Sequence, residues 1–233
     1  MHPSFGVELQ AQLGGRLMSI AAASWVLHVP AWRPSAPEAF KEAWAERPAA
    51  RREITVFGRK CHENRYSRAL GRSYSYAGQV AAAAPIEDGS VAAGHLAACV
   101  DALGPAAPAL DGCLANWYEP EHSIAAHRDN ENTLVTGAPI ASVSWGATRR
   151  FLLKPHAADG PPAGAQKLEL LLGDGDLLIM GGELQRTHTH EIPKPRKKDA
   201  SDSGRRISWT FRAFRPTDSD PPKKRRRVGG AQT

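Results

Sequence analysis

Short runs of β-type residues crowd the second half of the chain. They fall at residues 112–118, 123–127, 140–145, 151–153, 167–172, 176–180, 187–192 and 207–214, separated by turn signals, and each reads as a strand. Short strands at such close spacing predict a sandwich or barrel. The first half is patterned differently. Residues 25–29 read as one short strand, and Ser35 is placed to cap a helix through Phe40 and Trp44 that ends near Pro48, with its apolar positions at helical spacing. An alanine-rich segment, 90–103, reads as a second helix closed by Gly104 and Pro105. The pattern therefore predicts a mostly β fold with flanking helices packed on it from the N-terminal half.

Length and charge place limits on this picture. At 233 residues the chain is one large domain by default, and its 42% apolar and 23% charged residues exclude wholesale disorder. We expect a flexible N-terminus over 1–20, a folded domain over 21–215 and a disordered tail over 216–233. Three cysteines, Cys61, Cys99 and Cys113, are odd in number and lack a CxxC spacing, which argues against a disulfide framework and a cysteine-based zinc site and fits a reducing compartment. The longest apolar run, 20–29, holds Ser24 and His28 and falls short of the ~18 residues a spanning helix needs. Of the formal charge of +6, five positive charges sit in residues 223–227 and leave +1 for everything else. That run reads as a nuclear import signal or a nucleic-acid arm. Lys194, Arg196, Lys197 and Lys198 form a second basic cluster.

Candidate chemistry centres on two strands. His127 and Asp129 are two residues apart, so on a strand their side chains share a face. A third ligand from His188 or His190 would complete the two-histidine, one-carboxylate facial arrangement that holds non-haem Fe(II) in oxygenases. His2, His28, His62, His95, His122 and His156 lack such a context and are expected at the surface or in caps. On the last strand, period two sets Ile207, Trp209 and Phe211 on one face and Arg206, Ser208, Thr210 and Arg212 on the other. Two guanidiniums looking into a barrel call for an anion, and a dicarboxylate suits them because each planar fork can clamp a carboxylate. Asn116 and Tyr118, also two apart, add polar groups to one strand face.

Taken in order, Asn116-Trp117-Tyr118, His127-Arg128-Asp129, the run 140–149, Gly175 to Met180, His190-Glu191-Ile192-Pro193-Lys194 and Arg206 to Arg212 resemble AlkB-type dioxygenases, most closely the eukaryotic nuclear members that repair alkylated DNA. The resemblance implies a double-stranded β-helix (jelly-roll) core, Fe(II), and 2-oxoglutarate as cosubstrate. His127, Asp129 and His190 match the iron ligands; His190 is preferred to His188 because it precedes the hydrophobic-Pro-Lys step. Arg206 and Arg212 match the two arginines that bind 2-oxoglutarate, and Asn116 and Tyr118 match the polar pair that helps hold it. Ser208 departs from the pattern, since many members have Asn there. The implied activity is oxidative removal of N-methyl groups from bases such as 1-methyladenine and 3-methylcytosine, with release of formaldehyde, succinate and CO2.

The same resemblance offers substrate contacts. Glu131 matches the acidic residue placed near the base, and Tyr74 and Tyr76 match an aromatic strand on the substrate side. Phe57, in Val56-Phe57-Gly58-Arg59, resembles an apolar finger that fills the gap left by a flipped base. Arg196, Lys197 and Lys198 fall where a basic loop contacts the opposite strand, as phosphate neutralisation requires. The expected partners are alkylated DNA, or RNA on the same fold, and the nuclear import machinery; the expected location is the nucleus, as a monomer without a membrane span. A catalytically silent nucleic-acid-binding module is the reading from another class, and the intact ligand and arginine set argues against it.

Overall fold

The computed structural model describes residues 3–56, 58–76, 79–156, 162–196 and 204–216. In chain order the elements are α1 (Pro3–Leu13), β1 (Arg16–Ala21), β2 (Ser24–Val29), α2 (Pro37–Ala45), β3 (Glu53–Val56), β4 (Arg59–His62), β5 (Tyr66–Leu70), β6 (Tyr74–Tyr76), β7 (Gln79–Ala81) and α3 (Val91–Leu103), followed by β8 (Gly112–Tyr118), β9 (Ile124–His127), β10 (Ile140–Gly146), β11 (Arg149–Pro155), β12 (Leu168–Leu172), β13 (Leu177–Gly182), α4 (Leu184–Thr187), β14 (His188–Ile192) and β15 (Arg206–Arg212). Seven strands form one sheet in the order β1-β2-β13-β10-β15-β8-β5, and four form a second in the order β12-β11-β14-β9. Two hairpins, β3-β4 and β6-β7, stand apart from both sheets.

The alternation read from the sequence decides which side of the large sheet meets what. Cys113, Ala115 and Trp117 of β8, Ala141, Val143 and Trp145 of β10, and Ile207, Trp209 and Phe211 of β15 join one apolar core with residues of α1, α2 and α3. A second core, including Tyr118, Ile140, Phe151, Leu153, Leu172, Met180 and Ile192, draws on strands of both sheets. Between the sheets the opposite faces of β8 and β15 present polar residues instead, and the candidate site lies there. This is the jelly-roll arrangement expected.

Three local expectations are corrected. Where a flexible N-terminus is expected over 1–20, residues 3–21 form α1 and β1 on the body, with Phe5 and Leu9 buried against the core that holds Trp25. The apolar positions of α1 are too sparse to advertise this from the sequence alone. Ser35 does not cap α2. Its backbone N–H and hydroxyl both donate to the Asp174 carboxylate, at 2.8 and 2.7 Å, while Ala36 occupies the N-cap and proline stands in the first turn, where its missing N–H has no helical partner to lose. Ser90, by contrast, caps α3, its hydroxyl accepting from the Ala93 N–H at 3.1 Å.

The histidines outside the metal motif give the third correction. His95 and His122 are buried rather than at the surface. His28 reaches Asp176 at 2.7 Å and ties β2 to the turn before β13. His62 and His156 are exposed, and His2 lies outside the described residues. The three cysteines are free.

Candidate metal and cosubstrate site

Cross-strand register assembles the metal group. β9 and β14 pair antiparallel with His127 opposite His190, a relation that puts two side chains on one face within reach of each other. Their ring centroids are 4.3 Å apart. Asp129, two residues past His127, turns its carboxylate to the same point: Oδ1 is 3.9 Å from His127 Nε2 and Oδ2 is 3.9 Å from His190 Nε2. One ligand atom from each of His127, Asp129 and His190 lies within 4.8 Å of the other two.

Surrounding hydrogen bonds decide which atoms face inward. His127 Nδ1 donates to the Ala125 carbonyl at 2.9 Å, the usual outer contact of a metal-binding imidazole, and this makes Nε2 the unprotonated nitrogen of the neutral ring. His190 Nδ1 and Asp129 Oδ1 are buried without hydrogen-bond partners. His188, the alternative ligand, is engaged at both ends of its ring, by Thr187 Oγ1 at 2.8 Å and the Gln166 carbonyl at 3.1 Å. It has no nitrogen to spare. The structure thus separates two histidines that spacing alone left equivalent.

Charge is distributed to suit a cation. Burial alone would push the Asp129 carboxyl upward, but Arg212 and the two histidines more than offset this and hold it at about 2. Burial, with His127 beside it, drives His190 down to about 3, and burial also lowers His127. At neutral pH the group therefore presents one carboxylate and two neutral imidazoles, the donor set that Fe(II) takes.

The cosubstrate face stands beside it. Asn116 and Tyr118 of β8, with Ser208, Thr210 and the two end arginines of β15, share one cavity with His127 and His190. Arg206 is 2% exposed. Its Nη2 donates to Ser144 Oγ at 2.8 Å, whereas Nε and Nη1 have no partner, and its guanidinium lies 5.3 Å from the Tyr118 ring centre. Burial pulls it down to about 10, against the opposing influence of Tyr118. A buried guanidinium with two idle donors is costly until an anion meets it, and a terminal carboxylate of 2-oxoglutarate fits that demand.

Arg212 is placed differently from a free cosubstrate clamp. Its Nε and Nη2 both donate to Asp129 Oδ2, at 3.1 and 2.8 Å, and its Nη1 donates to the Thr210 carbonyl at 3.3 Å. It orients the carboxylate while still lining the cosubstrate cavity.

A family model for the 2OG-Fe(II) oxygenase superfamily matches residues 30–212. The chain belongs to that superfamily. Fe(II) and 2-oxoglutarate are accordingly its cofactor and cosubstrate, and the curated proteins it is similar to are AlkB homologues. The rat protein named alpha-ketoglutarate-dependent dioxygenase alkB homolog 3 is 34% identical over 117 residues, covering 48% of this chain and 38% of that protein. Bovine DNA oxidative demethylase ALKBH2 is 36% identical over 107 residues, covering 45% of this chain and 37% of that protein. The Arabidopsis thaliana protein of the same name is 30% identical over 189 residues, covering 71% of this chain and 58% of that protein. The chain thus spans well under half the length of the two mammalian relatives. A solved structure titled "The structure of OsALKBH1" has the same fold, with a TM-score of 0.50 and 18% identity over 80% of this chain and 97% of that one.

The expected substrate residues are not all drawn together. Glu131 lies on the loop between β9 and β10 and lines a separate cavity with Gln185, Arg186 and Arg215, to which Asp129 and Arg212 also contribute. Tyr74 and Tyr76 sit on β6, paired with β7. Arg196 is exposed just past β14. Phe57, Lys197 and Lys198 lie outside the described residues.

Two polar residues that complete the site went unread in the sequence. Ser144 stands on the strand predicted over 140–145, two residues past Ser142 and directly opposite Ser208, so period two puts it on the polar face, where Arg206 Nη2 reaches it. Gln185, whose Oε1 accepts the Asp129 N–H at 2.9 Å, gives no local signal, because its partner is 56 residues away in the chain.

Proposed function

We propose that the chain removes N-alkyl groups from nucleic-acid bases by oxidation, acting on DNA in preference to RNA, with 1-methyladenine and 3-methylcytosine as representative lesions. The observation that carries this reading is that His127 and His190, which converge with Asp129 on one point, share a cavity with the half-satisfied, buried Arg206. Iron and 2-oxoglutarate, when bound, supply the oxidation of the N-methyl carbon, with O2 consumed and succinate, CO2 and formaldehyde released.

The chain's own residues do the rest. His127, Asp129 and His190 would hold the metal through their three converging ligand atoms. Arg212 and Gln185 fix Asp129 through its carboxylate and its backbone N–H. Arg206 anchors the far carboxylate of 2-oxoglutarate, supported by Ser144 and the Tyr118 ring, while Asn116, Tyr118 and Ser208 border its near end. Ser208 is shorter than the Asn that many members carry, so one cosubstrate contact there is shorter or bridged by water.

The nucleic-acid assignment draws on the names of the mammalian and plant relatives and on the basic residues of the sequence. A base can reach such a buried metal group only if it leaves the stack. Phe57 is proposed to fill the gap in duplex DNA, Tyr74 and Tyr76 to border the extruded base, Glu131 to favour a cationic lesion, and Arg196, Lys197 and Lys198 to meet phosphates. The 223–227 basic run is proposed to direct the protein to the nucleus. The direct test measures formaldehyde and succinate with methylated single-stranded DNA, duplex DNA and RNA in parallel. Turnover on DNA exceeding that on RNA supports the reading; turnover confined to RNA moves the assignment to an RNA demethylase.

A further inference from the structure

A second buried polar chain runs from the root of the β3-β4 hairpin to the cosubstrate cavity. The hairpin is closed beyond its last strand pair by the Glu63 N–H, which donates to the Arg52 carbonyl at 2.9 Å. Glu63 and Arg65 are each 3% exposed and Asn116 is 4% exposed. Arg65 Nε donates to Asn116 Oδ1 at 2.7 Å, and Arg65 Nη2 lies 3.5 Å from Glu63 Oε1. The other Glu63 oxygen accepts from Ser67 Oγ, and Ser67 stands directly opposite Asn116 in the β5-β8 register.

The chemistry of this chain fixes an orientation. A guanidinium only donates, so the end of the Asn116 amide turned to Arg65 must be its oxygen. The two N–H donors are left for the cavity that Asn116 lines with His127, Arg206 and Ser208. Arg65 itself does not line that cavity, and Glu63 offsets its charge, so the pair contributes direction to the amide rather than another net cation.

We propose that Arg65 is a positioning residue for the cosubstrate: it locks the Asn116 amide with its N–H donors toward an oxygen of 2-oxoglutarate. This rests on the reading that 2-oxoglutarate occupies the cavity between Arg206 and the His127, Asp129 and His190 group. Without the lock, the amide is free to turn its oxygen toward the anion, and binding weakens.

The test is calorimetric titration of 2-oxoglutarate into the Mn(II)-loaded full chain, which reads binding without turnover. Four proteins form a cycle: unaltered, Arg65→Lys, Asn116→Ala, and the double variant. Lysine keeps a positive charge against Glu63 but lacks the planar fork, so Arg65→Lys is expected to weaken binding about tenfold, the worth of one charge-assisted hydrogen bond. In the Asn116→Ala background the same change should have no further effect, a result that a merely structural role would not produce. Should Arg65→Lys fail to fold, Glu63→Gln/Arg65→Gln removes both buried charges and lets the amide turn, with the same tenfold loss expected. Unchanged affinity, or an equal loss in both backgrounds, overturns the proposal alone. Absence of binding by the unaltered chain overturns the pocket assignment and the proposal with it.

Discussion

At the scale of single residues, Asp129 and the histidines around it make the sharpest demands. One carboxylate oxygen is gripped twice by Arg212 and the other is idle, and only two imidazoles converge on it. Removing any member of a three-ligand group leaves two, so His190→Ala is expected to abolish tight Fe(II) binding, whereas His188→Ala retains it because that ring is already committed to Thr187 and Gln166. Metal titration distinguishes the two variants. Arg206→Ala is expected to raise the 2-oxoglutarate requirement about 10- to 100-fold, the range for losing hydrogen bonds to a charged group, with Fe(II) affinity unchanged; initial rates against cosubstrate concentration give the answer.

His95 tests electrostatics away from the site. Neither ring nitrogen has a hydrogen-bond partner, and the ring is packed against Trp145 and Trp209 at centroid distances of 4.9 Å each. Burial, aided by Arg33, lowers it from the usual 6.5 to about 4. The unfolded chain therefore takes up this proton first, so stability is full above pH ~6.5 and falls as the pH drops toward ~4, by an amount of order 3 kcal/mol. His95→Leu is expected to flatten this part of the pH profile in denaturant melts without lowering stability at neutral pH, since an apolar ring neighbour replaces an unpaired polar one.

At the scale of elements, β15 was legible because its alternation is strict: three apolar side chains enter the helix-covered core and four polar ones face the cavity, as period two requires. The Asn116 and Tyr118 face of β8 was legible for the same reason. What escaped reading was set by contacts far apart in sequence. Ser35 caps nothing because Asp174 claims it, and His28 is half-buried against Asp176. The helix α1 has a weak apolar stripe, and its burial depends on Trp25 across the first hairpin. Leu9, 2% exposed at the core face of this helix, makes the consequence measurable: Leu9→Ala should destabilise the fold by ~2–4 kcal/mol while leaving the 2-oxoglutarate requirement unchanged below the melting temperature. A disordered N-terminus would show no such loss.

At the scale of the whole molecule, two sheets hold the candidate metal ligands and the two β15 arginines on facing walls. The small sheet supplies His127 and His190, and the large sheet supplies Arg206 and Arg212. Asp129 joins the walls through Arg212, so the site forms only when both sheets are packed together. No helix among the described residues is long and apolar enough to cross a membrane. Removing residues 221–233 is expected to shift a tagged protein from nucleus to cytoplasm and leave turnover on a short oligonucleotide nearly intact, and microscopy with a parallel assay checks both halves.

The central claim is that this cavity couples 2-oxoglutarate consumption to removal of an N-methyl group from a nucleic-acid base. The most direct measurement is the ratio of formaldehyde to succinate released from a 1-methyladenine oligodeoxynucleotide by the Fe(II)-loaded full chain, with Asp129→Ala as the control. The account predicts a ratio near one for the unaltered chain and neither product from the variant; succinate without formaldehyde on every methylated DNA and RNA tried would contradict it.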